Sequence, residues 1–289
     1  MTSQPDELKA LETTAQRPAC MEVWGGNEAT YSSFAKAGID IWLYSRPCDN
    51  DARGGDVYYL SSCASGRITR MMLADVAGHG DGVADLAHDL RLLMRQHINA
   101  INPRRLFEDV NKQFTKISAA DRFATSIISS YFMTTGTLSV CSAGHPDPLI
   151  RRADGSAWEM LEIDEDRNNM FGDVPLGLDE VSAYTQTDVR VQPGDMLFCF
   201  TDGIIESTTA KGDMLGVEGL IALFNHLSAD QPSTLIPALV SHIQQSDANF
   251  VESDDATMLL CRISDRSVPF SDNLAAPLRW AKNLLRTDQ

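Results

Sequence analysis

The chain has 289 residues, 43% of them hydrophobic and 22% charged. That is a globular composition, long enough to bury a sizeable core without disulfides. Forty Asp and Glu against 24 Lys and Arg leave a formal net charge of −16. A chain this acidic repels phosphate backbones and anionic headgroups, so nucleic acid and membrane surfaces are excluded as expected partners; cations and basic protein surfaces are favoured.

No apolar run approaches the roughly 18–20 residues that span a bilayer. The N-terminus, Met1 to Glu7, lacks the basic and apolar regions of a secretory signal. Cys20, Cys48, Cys63, Cys141, Cys199 and Cys261 are scattered, with no C-x-x-C pair. Reduced thiols in a cytoplasmic protein are expected.

Residues 1–20 are polar and read as a loose tail or a short helix from Glu7 to Gln16. Ile39 to Tyr44 reads as a strand, stopped by Pro47 and followed by a polar loop from Cys48 to Arg53. Gly54-Gly55-Asp56 opens a strand through Val57 to Leu60. After the Ser65-Gly66 turn, Arg67 to Val76 forms another, ending at Gly78-His79-Gly80. Two helices follow. Val83, Leu86, Ala87, Leu90, Leu93, Met94 and His97 share one helical face, and so do Leu106, Phe107, Val110, Phe114 and Ile117 after Pro103. This pair, directly after Asp75, is a candidate switch element.

Phe123 to Phe132 and Thr137 to Ser142 read as a hairpin. An acidic loop from Glu162 to Asp173 is expected either to border the site mouth or to be a surface excursion. Val181 to Val191 and Met196 to Phe200 read as strands, Gly216 to Leu227 and Pro232 to Gln245 as helices, and Thr257 to Ile263 as the last strand. Ala275 to Leu285 is a short amphipathic helix candidate. The order argues for an α+β fold with mostly antiparallel sheets flanked by helices. The expected organisation is a tail (1–20), one domain (21–265) and a C-terminal amphipathic tail (266–289), which could dock on the domain or on a second copy.

Four aspartates share a setting. Asp56, Asp75, Asp202 and Asp254 each lie beside Gly or at the edge of a β-like run. Strand ends converge at a sheet rim, so these carboxylates can meet in space. Together they would repel strongly, and a hard divalent cation would relieve that. Mg²⁺ or Mn²⁺ suits such a donor set better than Zn²⁺. Taken singly, an Asp beside Gly is more often a turn residue.

Seven blocks occur in one order. They are Gly54-Gly55-Asp56-Val57-Tyr58, Ala74 to Gly80, Phe123-Ala124-Thr125, Ser142 to Pro146, Pro175-Leu176-Gly177, Gly194 to Leu197 with Phe200 to Gly203, and Asp254 to Thr257. On these the chain resembles the metal-dependent protein phosphatase family (PPM, type 2C), in its bacterial SpoIIE/RsbU branch, from about Met21 to Ile263. The resemblance implies an αββα sandwich of two antiparallel sheets with helices outside. It implies two Mn²⁺ or Mg²⁺ ions. Asp75 would bridge both, with the Val76 carbonyl adjoining; Asp56 would bind the second and Asp202 and Asp254 the first. Asp255 would support them from behind. A water held between the cations would attack phosphoserine or phosphothreonine on a protein.

Arg53 is either a phosphate-holding residue or a solvated loop arginine. His79 is either a general acid or a packing residue, since its spacing from Asp75 differs from the eukaryotic members and their position falls at Ala77. His145, in a Gly-His-Pro turn, is expected to be structural. The resemblance implies a substrate that is a phosphorylated anti-sigma-factor antagonist in partner-switching. With only some 20 residues ahead of the domain, activation would come from an activator protein, from homodimerisation, or not at all. Two other functions stay open: a silent metal-binding scaffold that sequesters a regulatory partner, and a small-molecule phosphoesterase.

Overall fold

The computed structural model describes residues 12–16, 23–63, 66–78, 80–100, 102–118, 122–155, 157–163, 174–227, 231–247, 250 and 254–267. Thirteen strands form two sheets among these residues. The strands are β1 (Glu12–Gln16), β2 (Val23–Gly26), β3 (Thr30–Lys36), β4 (Ile39–Arg46), β5 (Asp56–Cys63), β6 (Ile68–Val76), β7 (Ala124–Phe132), β8 (Thr137–Ala143), β9 (Leu149–Arg151), β10 (Glu159–Met160), β11 (Gln186–Arg190), β12 (Met196–Phe200) and β13 (Ala256–Ile263). One sheet runs β1-β3-β4-β13-β12-β9-β10, the other β11-β8-β7-β6-β5-β2. All described pairings are antiparallel except β1 with β3.

The helices are α1 (Asp81–His97), α2 (Pro103–Ile117), α3 (Asp202–Ile205), α4 (Gly216–His226) and α5 (Pro232–Ser246). Three separate apolar clusters define the layers. Leu90, Met94, Phe107 and Phe114 pack with Val57, Tyr59 and Ile128 on the outer face of the six-stranded sheet. Phe224, Leu235 and Leu239 pack with Phe198, Phe200 and Leu260 on the outer face of the seven-stranded sheet. Between the sheets lie Leu43, Leu60, Leu73, Ile127, Val140 and Leu259. Residues alternate between inner and outer clusters along each strand, as a period of two requires. The result is the expected αββα sandwich.

Local signals set the helix ends. The Asn102 side chain accepts a hydrogen bond from the Arg105 amide (3.1 Å), with Pro103 in the first turn, so α2 starts where the sequence predicts. Between β6 and α1 the chain reverses through Gly78 (φ 114°) and Gly80 (φ 89°), a backbone region that side chains rarely adopt. Arg70 is buried, and its guanidinium reaches the Ile98 and Ala100 carbonyls just beyond the end of α1.

Some expectations change. Glu12–Gln16 is an edge strand, not a helix or loose tail. β2, β3, β9 and β10 carried too weak a pattern to be read from the sequence: β3 is Thr-Tyr-Ser-Ser-Phe-Ala-Lys, with hydroxyls where apolar residues would mark a strand. The expected strand from Val181 to Val191 is shortened to Gln186–Arg190, because the segment before it packs as a loop on α2. There the Tyr184 and Phe107 ring centroids are 5.3 Å apart. Residue 20, residue 79, most of the acidic loop (164–173) and the C-terminal tail from 268 lie outside the described residues. The other five cysteines are free thiols.

Phe198 is fully buried, 4.7 Å from Phe224 and 5.6 Å from Phe200 between ring centroids. Phe198→Ala should cost about 3–5 kcal/mol, read as a lowered urea midpoint with the slope unchanged.

Candidate metal centre

Asp56 opens β5 and Asp75 stands directly across from it near the end of β6. Both belong to the six-stranded sheet. Asp202 and Asp254 come from the other sheet: Asp202 begins α3 just past β12, and Asp254 lies two residues ahead of β13. The fold therefore brings all four aspartates to one rim, two from each sheet.

Their electrostatics show how closely they crowd. Burial lifts the Asp75 carboxyl to about 7, and the negative charges of Asp202, Asp254, Asp255 and Glu206 add to the rise. Asp56 is 3% exposed and is pushed well above the carboxylate range by burial, then by Asp75 and Asp255. Asp254 is exposed as a residue, yet lost hydration raises its carboxyl to about 6. The Asp255 amide, donating to Asp254 Oδ1 at 2.8 Å, opposes that rise, while Asp202, Asp255 and Glu206 reinforce it. The largest charges acting on these groups are other carboxylates. Among the described residues, no three His, Cys, Asp or Glu side chains already stand close enough to hold an ion. The chemistry of the donor set still fits one: an all-oxygen, like-charged cluster is relieved by a hard divalent cation.

The remaining predicted residues take distinct places. Asp255 turns to the backbone of the Gly54–Asp56 segment. Its carboxylate accepts from the amides of Cys48 (2.6 Å), Gly55 and Asp56 (3.2 Å). No room is left there for a larger residue, since a Cβ on Gly54 would lie 2.5 Å from Asp255 Oδ2. The Val76 carbonyl faces the same turn, 3.0 Å from where a Cβ on Gly55 would stand. A Cβ on Gly203 would meet the Asp255 carbonyl at 2.1 Å, so α3 can approach β13 only through glycine. Arg53 pairs with Asp85 of α1 at 2.9 Å, both side chains substantially exposed. His79 lies outside the described residues.

His145 is buried behind the rim, and its Nδ1 lies 2.9 Å from the Thr125 hydroxyl. Thr125 stands across from Asp75 in the β6–β7 pairing. Burial pushes the imidazole down to about 3, so it is neutral and structural, as its turn motif suggested.

Three further residues shape the centre. Glu206 adds a carboxylate near Asp75 and Asp254; its position four residues after Asp202 was the available signal. Asn27 donates to the carbonyls of Gly54 (2.9 Å) and Ala84 (3.1 Å), joining the turn to α1. Thr201 donates to Asp56 Oδ2 at 2.8 Å. Asn27 had no signal of its own in one sequence; Thr201 stood within the Phe200 to Gly203 block, but nothing there pointed to its contact with Asp56.

Comparison with known proteins agrees with this architecture. The phosphoserine phosphatase RsbU of Bacillus subtilis is 24% identical over 175 residues, covering 60% of this chain and 49% of that protein. The chain thus spans about half the length of this curated relative. The solved RsbU and RsbW domains of a Mycobacterium tuberculosis protein superpose with a TM-score of 0.63 at 24% identity, covering 83% of this chain and 64% of that one. The PP2C phosphatase domain of SpoIIE from Bacillus subtilis, solved with a fragment of its regulatory domain, gives 0.64 at 15% identity, covering 84% and 62%. At these identities the solved structures establish the likeness of fold. The family model described as Stage II sporulation protein E (SpoIIE) matches residues 65–264, more than half of the chain, and the protein belongs to that family.

Proposed function

We propose that the protein is a Mn²⁺- or Mg²⁺-dependent protein serine/threonine phosphatase. The observation that carries this is the convergence of Asp56, Asp75, Asp202 and Asp254 from two sheets onto one rim, where their neighbouring charges are other carboxylates. The similarity to a phosphoserine phosphatase supports the reaction class. Two ions would be held by Asp56, Asp75, the Val76 carbonyl, Asp202 and Asp254. Bound there, divalent cations would supply Lewis-acid activation of a water and neutralise the phosphate of a phosphomonoester.

The chain's own residues prepare that chemistry. Asp255 fixes the backbone on which Asp56 sits through three amide hydrogen bonds. Buried His145, its pKa pushed down by burial, would hold Thr125 opposite Asp75. With no cation bound, the carboxylate rim would repel a phosphate, so substrate binding is conditional on metal. Arg53 is engaged with Asp85 at the surface, and a contact with a protein substrate outside the rim would require it to leave that pair.

We take residues 21–265 as the catalytic domain, with tails on both sides. The substrate is inferred to be a phosphorylated anti-sigma-factor antagonist in a cytoplasmic partner-switching system, consistent with the RsbU and RsbW pairing in the fold neighbour. Among the described residues, no helix is long and apolar enough to cross a membrane. A second reading is a silent metal-binding scaffold, since among the described residues no three ligating side chains already stand close enough to hold an ion in a catalytic arrangement.

Phosphate release from a phosphoserine protein separates the two. Turnover should need Mn²⁺, vanish with EDTA and fall by about 100-fold or more in Asp202→Asn. Calorimetric Mn²⁺ binding with no turnover would support the scaffold. Turnover indifferent to EDTA and to the substitution would overturn the site.

The carboxyls also predict a pH dependence. Folded Asp75 and Asp254 keep protons to about 7 and about 6, above the values of an unfolded chain. The stabilising protons are present in both states below the unfolded value of about 4, so the metal-free fold loses stability as pH rises from about 4 to about 7. Its melting temperature should fall between about pH 4 and about pH 7 and level off above that, and saturating Mn²⁺ should reverse the trend. Asp75→Asn should flatten the profile, raise metal-free stability by about 1–3 kcal/mol at the upper end, and abolish the gain from Mn²⁺.

A further inference from the structure

The candidate metal ligands are divided between two sheets that share no backbone pairing. Their relative position depends on side-chain contacts across the gap. One is Asp255, which holds the backbone of Asp56. Another grips the Asp56 carboxylate itself, through Thr201 at the end of β12 beside Asp202.

The Thr201 hydroxyl has two acceptors in reach, Asp56 Oδ2 at 2.8 Å and the Thr257 carbonyl at 3.4 Å, and the shorter contact favours Asp56, which the Thr257 side chain also contacts. The Thr257 amide donates to Thr201 Oγ1 at 2.9 Å. That occupies the hydroxyl oxygen as an acceptor, and its proton points to Asp56 Oδ2 at 2.8 Å. The Thr201 amide donates in turn to the Thr257 carbonyl at 3.0 Å. The Thr257 hydroxyl is anchored by Ser45 Oγ at 2.9 Å. Thr201 and Thr257 are fully buried, and Ser45 and Asp56 are nearly so. The chain Ser45–Thr257–Thr201–Asp56 thus crosses from β4 through β13 and β12 to β5. Thr257 meets Ser45 through its hydroxyl and Thr201 through its amide, so the links run through the residue, and a buried acceptor that loses its donor is left unpaired.

Resting on the phosphatase reading, we infer that Thr201 is a positioning residue: its hydroxyl fixes the orientation of the Asp56 carboxylate and ties the Asp56–Asp75 half of the metal centre to the Asp202–Asp254 half. A side chain of the same shape without the hydroxyl keeps the packing and loses the tie. Thr201→Val is that substitution, and Thr201→Ser restores the donor.

The test is Mn²⁺ titration by calorimetry, with folding checked by circular dichroism and thermal melting, alongside steady-state kinetics on a phosphoserine protein. Thr201→Val should fold, bind Mn²⁺ about 10-fold or more weakly, and lose kcat at saturating substrate with little change in KM. Thr201→Ser should recover Mn²⁺ affinity to within about 3-fold of the parent. A folded Thr201→Val with parental Mn²⁺ affinity would overturn the proposal. So would a Thr201→Ser as impaired as Thr201→Val, because that would assign the effect to the methyl group. If Thr201→Val does not fold, Ser45→Ala, which removes the far anchor of the same chain, should weaken Mn²⁺ binding measurably; unchanged affinity there would overturn it. Failure of the phosphatase reading would show differently, as a parent protein that binds Mn²⁺ without turnover, and the calorimetric comparison would still decide the role of Thr201.

Discussion

Asp56 and Asp75 face each other across β5 and β6, and the Asp75 charge makes it harder for buried Asp56 to ionise. Burial is the first cause of that, and Asp202, Asp254 and Glu206 press on Asp75 from the opposite sheet. Such a rim opposes the stability of the fold that carries it, and the surrounding structure has to hold it in place. Three apolar clusters supply the driving force, one between the sheets and one under each helical layer. The carboxylates are confined to the edge, where strands end and water is near.

Holding charges at a rim requires orientation as well as burial. Asp255 accepts three backbone amides and so fixes the turn that launches β5. Thr201 reaches Asp56 from the end of β12. Asn27 connects the same turn to α1 through Gly54 and Ala84. Glycine permits these approaches: Gly54 leaves space for the Asp255 carboxylate and Gly203 leaves space for its carbonyl. The carboxylate rim is thereby linked to helices on one side and to the partner sheet on the other. A displacement of α1 would be felt at the Gly54–Asp56 turn.

Parts of this were legible in one sequence because they leave a local trace. The α2 helix shows Pro103 at its start and an apolar face of which Leu106, Phe107, Val110 and Phe114 are buried while Ile117 is exposed. β6 and β12 are short apolar runs bounded by Asp and Gly. β3 was hidden because Ser32 is buried where an apolar residue would have marked the strand. Asp255 was read as a support, but which groups it supports depends on amides about 200 residues away in the chain. Arg53 is likewise ambiguous by composition, and its contact with Asp85 emerges only once β5 and α1 are packed.

The sequence by itself determined the donor types and their order: acidic residues at four strand edges lie in a fixed order of glycine-marked blocks, because side-chain type and local turn propensity are properties of short segments. Only the tertiary structure decided how those residues meet. Pairing β5 with β6 sets Asp56 opposite Asp75, and packing one sheet on the other brings Thr201 within 2.8 Å of Asp56. Contacts across a sandwich depend on strand register and sheet stacking, which arise from the whole core and leave no mark at the positions they join.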